Sequence, residues 1–209
     1  MEEMIALLHR SKEIHQDNVN KGFYDPAPDH DTHMMLIASE LFEAFEAIRK
    51  NHWTEVKLED YDKYIADRSN GQVAFEDETE AIRNFYPMYI KDTVEGEIAG
   101  FMIRLLDYLG YKGIDESFIN RVKYFTAAEN RLQLEYEISK LSDVKILKDL
   151  SDGCLTELGS LESVLTHDIS TTFVIVNVLC QRHDINLTKH IDLELAYNKT
   201  RSFKHGKKF

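Results

Sequence analysis

Three prolines and nine glycines in 209 residues leave few points at which a helix must stop. Between those points apolar residues recur at three- and four-residue spacing, which reads as an all-α chain. Cysteine is nearly absent. Cys154 and Cys180 show no C-x-x-C spacing, which excludes a disulfide framework and a zinc site and makes a reducing cytoplasm the expected compartment. No stretch approaches the uninterrupted apolar length of a membrane span, and "MEEMIALLHRSKEIH" lacks the basic start and apolar run of a signal peptide. The expectation is a soluble, cytoplasmic protein. Positive charge is scarce as well: 25 Lys and Arg stand against 37 Asp and Glu, a net charge of -12. An acidic surface repels nucleic acid polymers and anionic membranes, so neither is an expected partner, whereas a free nucleotide bridged by a metal remains open. P-loop, G-x-G-x-x-G and Ser-His-Asp patterns are missing too.

What is present is a series of amphipathic segments. The spacing predicts helices over Met1–Asn20, His33–Asn51, Ile82–Ile90 running brokenly into Thr93–Leu109, Ser117–Leu141, Ser142–Leu150, Thr156–Thr166, Ser170–His183 and Leu187–Lys199. "KGFYDPAPDHD" (Lys21 to Asp31) reads as a loop, and "HWTEVKLEDYDKYIADRSNGQ" as a polar excursion between two strong helices. One domain over 1–209 is expected. "FMIRLLDYLGYKGID" (Phe101 to Asp115) and "FVIVNVLCQRHDINL" (Phe173 to Leu187) share an order of apolar helix, polar break, Ile and polar residue. That likeness is either chance or a degenerate duplication, with halves 1–115 and 116–209 building one four-helix core.

Two helices carry carboxylates in a pattern. At about 100° per residue, Met34, Ile37, Leu41, Phe45 and Ile48 form one stripe of "MMLIASELFEAFEAIRK", while Glu40 and Glu43 leave another side one turn apart. On its own a Glu-x-x-Glu is usually the charged outer face of an amphipathic helix. "TVEGEIAGFMIRLLDYL" is apolar nearly all round except for a narrow strip of Glu97, Gly100, Arg104 and Asp107, which marks a buried helix. Ionisable groups on it must be paired, as Arg104 with Asp107 or Glu97, or bound to metal.

These residues resemble the all-α nucleoside triphosphate pyrophosphohydrolases, the MazG-like group related to dimeric dUTPases. "SELFEAFEAIRK" looks like the first half of that family's metal motif and "VEGEIAGFMIRLLDYLG" like the second; "NVNKGFYD" and "AYNKTRSFKHGKKF" are similar to its flanking segments. The resemblance implies a four-helix-bundle core, a homodimer or higher homo-oligomer, and Mg2+, with Mn2+ as a substitute, held by Glu40, Glu43 and Glu97. It also implies hydrolysis of a nucleoside or deoxynucleoside triphosphate to a monophosphate and pyrophosphate, by in-line attack of a metal-activated water, in housecleaning or control of the nucleotide pool. The same three glutamates would be the catalytic residues, one of them or a neighbouring carboxylate taking the proton. Where the family has aspartate this chain has Gly100. Asp107, two turns or roughly 10 Å further on, is too distant to replace it. Three consequences are consistent with the gap: a smaller site, a site completed by water or another carboxylate such as Glu95, or a bundle that binds nucleotide or a protein partner without turnover.

Substrate contacts are expected from both ends of the chain. Asn198, Lys199, Arg201, Lys204, Lys207 and Lys208 lie in a basic tail that either neutralises phosphate or stays solvated. Asn18, Lys21, Phe23 and Tyr24 either line the base end or plug the core. His30, His33, His183, His190 and His205 have no metal-ligand spacing and read as surface histidines; Trp53 is a core or interfacial aromatic.

Overall fold

The computed structural model describes residues 1–56, 60–61, 63–64, 78–156 and 162–203. Among them the chain is all helical, in ten helices and no strand: α1 (Glu2–His9), α2 (Ser11–Asn20), α3 (His30–Arg49), α4 (Glu78–Tyr89), α5 (Val94–Lys112), α6 (Glu116–Phe125), α7 (Ala128–Ser139), α8 (Asp143–Thr156), α9 (Glu162–Arg182) and α10 (Leu187–Thr200). No described helix is long and apolar enough to cross a membrane.

The boundaries differ from the expected ones where local hydrogen bonds outcompete periodicity. Asp29 caps α3 by accepting from Thr32 N–H at 2.8 Å, so the helix starts three residues before His33. The expected helix over Met1–Asn20 breaks at Arg10, whose N–H turns tightly onto Leu7 O at 3.0 Å. The expected Ser117–Leu141 helix breaks after Phe125, where Thr126 Oγ1 bonds back to Val122 O at 2.8 Å. In the other direction α8 runs on past Leu150, and α9 is one helix where two were expected. Residues 157–161 of that stretch, and most of the polar excursion after Val56, lie outside the described residues.

Two buried helices organise the packing. α2, α3 and α10 all pack on α5, making a four-helix core; α6, α7 and α8 pack on α9. Contacts of α3 with α8 and of α1 with α6 join the two groups, and one apolar cluster runs from Met4 to Ile191. Trp53 packs on this cluster with its ring 4.4 Å from that of His183. The α5 residues Val94 to Ile103 are all buried, Glu95 and Glu97 included, as an all-round apolar helix requires. On α3 the buried arc is made by Met34, Ile37, Ala38, Leu41, Ala44 and Ala47, and Phe45 is displaced to the exposed side. The small alanines lie at the close contacts, so the buried face is rotated away from the stripe the larger residues suggest.

The two similar segments end in the same way. Gly113 and Asp184 take left-handed backbone (φ 70° and 54°), Ile114 and Ile185 N–H bond five residues back to Leu109 and Cys180 carbonyls, and Asp115 and Asn186 cap the next helices. A shared helix-stop and helix-start device accounts for their likeness.

Candidate metal centre

Contacts along α3 and α5 run in opposite order, His33 against Tyr111, Glu40 against Gly100, His52 O accepting from Val94 N–H, so the two helices are antiparallel. That arrangement sets the mid-helix carboxylates of both against each other. Glu40, Glu43 and Glu97 each offer an oxygen, and these oxygens lie within 4.8 Å of one another. Glu97 is buried, Glu40 half-buried and Glu43 exposed, and three hard oxygen donors at that spacing form a set able to hold one divalent cation.

The electrostatics of the cluster are those of carboxylates held together against their repulsion. Burial, followed by the charges of Glu40, Glu43, Glu194 and Asp92, pushes Glu97 up to about 8. Glu194, from α10, is likewise pushed up to about 8 by burial and by Glu40, against the opposing effect of Arg104 and of hydrogen bonds from Tyr86 and Asn198. A cation would replace protons here, which is the behaviour expected of a ligand set.

The neighbours of α5 correct the expected partner of Arg104 and place its other polar residues. Arg104 pairs with Glu40 across the helix interface, not with Asp107 or Glu97 along its own helix. Asp107 belongs to a different network, accepting from Tyr24 Oη at 2.9 Å and meeting His15 Nδ1 at 3.0 Å. Glu95 does not fill the gap at position 100: its Oε2 accepts from Thr54 N–H at 3.0 Å and fastens the chain that follows α3. Glu95→Ala is therefore expected to lower the melting temperature by several degrees, the scale of about 1–3 kcal/mol for an orphaned partner, with the magnesium-induced shift unchanged; paired thermal melts with EDTA and magnesium check this. Lastly, a Cβ at position 100 would lie 2.7 Å from Glu40 Oε2 and 3.7 Å from Glu194 Oε1, so glycine here permits a close approach. Glu194 was missed in the sequence because α10 carries charge all round, yet its register with buried His190, one turn earlier, places it on the inner face.

Between α2, α5 and α10 lies a cavity of about 310 Å³, lined by Ile14, Asn18, Lys21, Ile103, Asn198 and Lys199 among others, within the range of small-ligand sites. Asn198 also bonds Glu194, which links the cavity to that carboxyl. Four of the expected substrate residues thus come together. Lys21 also ties the two ends of the chain, its Nζ donating to Lys199 O at 3.0 Å and Arg201 O at 2.6 Å, and Lys199 Nζ lies 3.4 Å from Asp17. Arg201 stands just beyond, donating to Asn198 Oδ1 at 3.3 Å over the Tyr197 ring. Phe23 is half-buried, its N–H donating to the lining residue Asn18 at 3.1 Å, and Tyr24 packs edge-on against His15; neither is among the lining residues of this cavity. Lys204, His205, Lys207 and Lys208 lie outside the described residues.

The histidines are not all on the surface. His33, 4% exposed, is boxed by Tyr24, Tyr108 and Tyr111, and burial holds its pKa below the usual value. His190, 2% exposed on the inner side of α10, is pushed down to about 4 by burial. His30 meets Tyr108 Oη at 3.1 Å and His183 meets Asp143 at 3.0 Å. Cys180 is a buried free thiol. No protein-family model, curated protein or solved structure matches the chain.

Proposed function

We propose that this protein is a magnesium-dependent nucleoside triphosphate pyrophosphohydrolase of the MazG-like kind, releasing a nucleoside monophosphate and pyrophosphate in the cytoplasmic nucleotide pool. The observation that carries the reading is the convergence of Glu40, Glu43 and Glu97 from two antiparallel helices onto one position, within 4.8 Å. The adjoining cavity, with Asn18 and Asn198 as polar readers and Lys21 and Lys199 as cations, supplies a place for the nucleotide. Bound magnesium would screen phosphate charge and activate water for in-line attack. Glu40, Glu43 and Glu97 would hold the ion, Arg104 would fix Glu40, and one of the three or a neighbouring carboxylate would accept the water's proton. Arg201 and Lys199 would meet phosphate oxygens at the cavity rim. A second copy of the chain would cover the outer face of α3, where Met35 (58% exposed), Leu36, Phe42 (51% exposed) and Phe45 stand in solvent.

The test is pyrophosphate release from a panel of common and damaged nucleoside triphosphates, with magnesium and then manganese, comparing wild type with Glu43→Gln. Turnover of at least one nucleotide, lost in Glu43→Gln, is the expected outcome. Nucleotide binding without turnover would favour the alternative, a bundle that keeps the scaffold for binding; neither binding nor turnover would overturn both.

A further inference from the structure

Gly100 lies on the face of α5 that looks onto both α3 and α10. Glu40 Oε2 stands 2.7 Å and Glu194 Oε1 3.7 Å from where a Cβ would be, so these two carboxylates approach one another across bare backbone. Glu194 is held in that place: the side chains of Tyr86 and Asn198 hydrogen-bond to it, and Tyr86 is itself buried and stacked on Tyr197 with ring centroids 4.7 Å apart. Its Oε2 is closed to solvent and has no hydrogen-bond partner. A carboxylate oxygen in that state is costly unless a proton or a cation completes it.

We propose that Glu194 is the fourth carboxylate of the metal centre: it stands beside the 4.8 Å group of Glu40, Glu43 and Glu97 rather than within it, its Oε1 3.7 Å from where a Cβ at position 100 would be, and it closes onto the ion from α10 across that bare backbone. The inference rests on the metal-centre reading above and adds a third helix to it. Gly100 is then the condition for Glu194 to take part, and the aspartate expected at position 100 has been exchanged for a glutamate from elsewhere in the fold. The exchange also couples the ion to the cavity, because Asn198, one turn beyond Glu194, lines that cavity and holds the carboxyl at the same time.

Manganese binding to the full chain, measured by electron paramagnetic resonance and by calorimetry without nucleotide, tests this. Wild type is expected to bind. Glu194→Gln, nearly isosteric, is expected to weaken binding about 10-fold or more while keeping the fold. Gly100→Ala should weaken it similarly, because the added methyl must displace Glu40, although alanine favours the helix. Gly100→Asp should not tighten it. Wild-type affinity in Glu194→Gln alongside its loss in Glu43→Gln would overturn the fourth ligand and leave the three-carboxylate centre standing, as would tighter binding in Gly100→Asp; no manganese binding by wild type would overturn the proposal outright. Glu194-dependent manganese binding in a protein that hydrolyses no nucleotide would support it while removing the enzymatic reading.

Discussion

Glu97→Gln is expected to reduce pyrophosphate release by about three orders of magnitude while raising, not lowering, the melting temperature of the protein in EDTA. The two halves of this expectation have one cause. Glu97 is 7% exposed and faces Glu40 and Glu43, an arrangement that a folded protein without a cation tolerates only by keeping a proton on the cluster. A glutamine there carries no charge, and its amide can donate to the two neighbouring carboxylates. Removing the repulsion should stabilise the fold by about 1 kcal/mol or more, a rise of about 2–4 °C for each kcal/mol in a chain of this size. On the proposed function the same change would take away a ligand, and with it the several kcal/mol of transition-state charge stabilisation that a held metal provides, about 10³-fold or more in rate. A surface carboxylate would show neither effect, and a purely structural one would lose stability when neutralised. Calorimetry in EDTA at pH 8, set beside pyrophosphate release in magnesium, reads both signs. A lower melting temperature together with unchanged turnover would remove Glu97 from the centre.

The carboxylate helices were legible in the sequence because helical geometry is local. Glu40 and Glu43 are one turn apart, and Glu97 sits on the polar strip of a helix too apolar to be exposed, so register alone puts each on a definite face. Register does not say which faces meet. Arg104 had its own helix neighbours as apparent partners, yet the α3–α5 interface brings Glu40 closer. Glu194 was invisible because its significance depends on α10 packing against α5 across Gly100, a contact between distant parts of the chain. Tyr24 stayed open between two roles for the same reason: whether a loop aromatic beside a lysine faces a ligand or the core depends on distant Asp107, which accepts its hydroxyl. The helix breaks at Arg10 and Thr126 failed differently. Both are decided by single hydrogen bonds at the last turn, which periodicity over a window averages away.

The second large effect is a fall in stability with rising pH that magnesium reverses. A carboxyl whose folded pKa is raised binds more protons in the folded state than in the unfolded one, so its contribution is fully present below its ordinary pKa, about 4.5, and is lost as pH climbs toward the folded value of about 8. Glu97 and Glu194 both act in this direction. His190 acts in the other: its pKa is lowered to about 4, so folding gains from rising pH between about 4 and 6.5, and buried His33 shares that sign. Below pH 6.5 the two pairs therefore oppose each other and the profile should be shallow. Between pH 6.5 and 8 the histidines of the unfolded chain finish losing their protons, the Cys180 thiol, pushed up to about 12, keeps its proton in the folded protein, and the carboxylates come to dominate. There the protein in EDTA should lose on the order of 1 kcal/mol per pH unit, seen as a melting temperature falling by several degrees from pH 6.5 to 8. Magnesium competes with those protons, so its stabilisation should grow over the same interval, reaching about 2.7 kcal/mol at a hundredfold excess over its dissociation constant. Melts at half-unit steps of pH, with EDTA and with saturating magnesium, would show two curves diverging above pH 6.5. Parallel curves would mean that the ion does not bind where the protons are held, and the carboxylates of α3, α5 and α10 would then be a cluster without a metal.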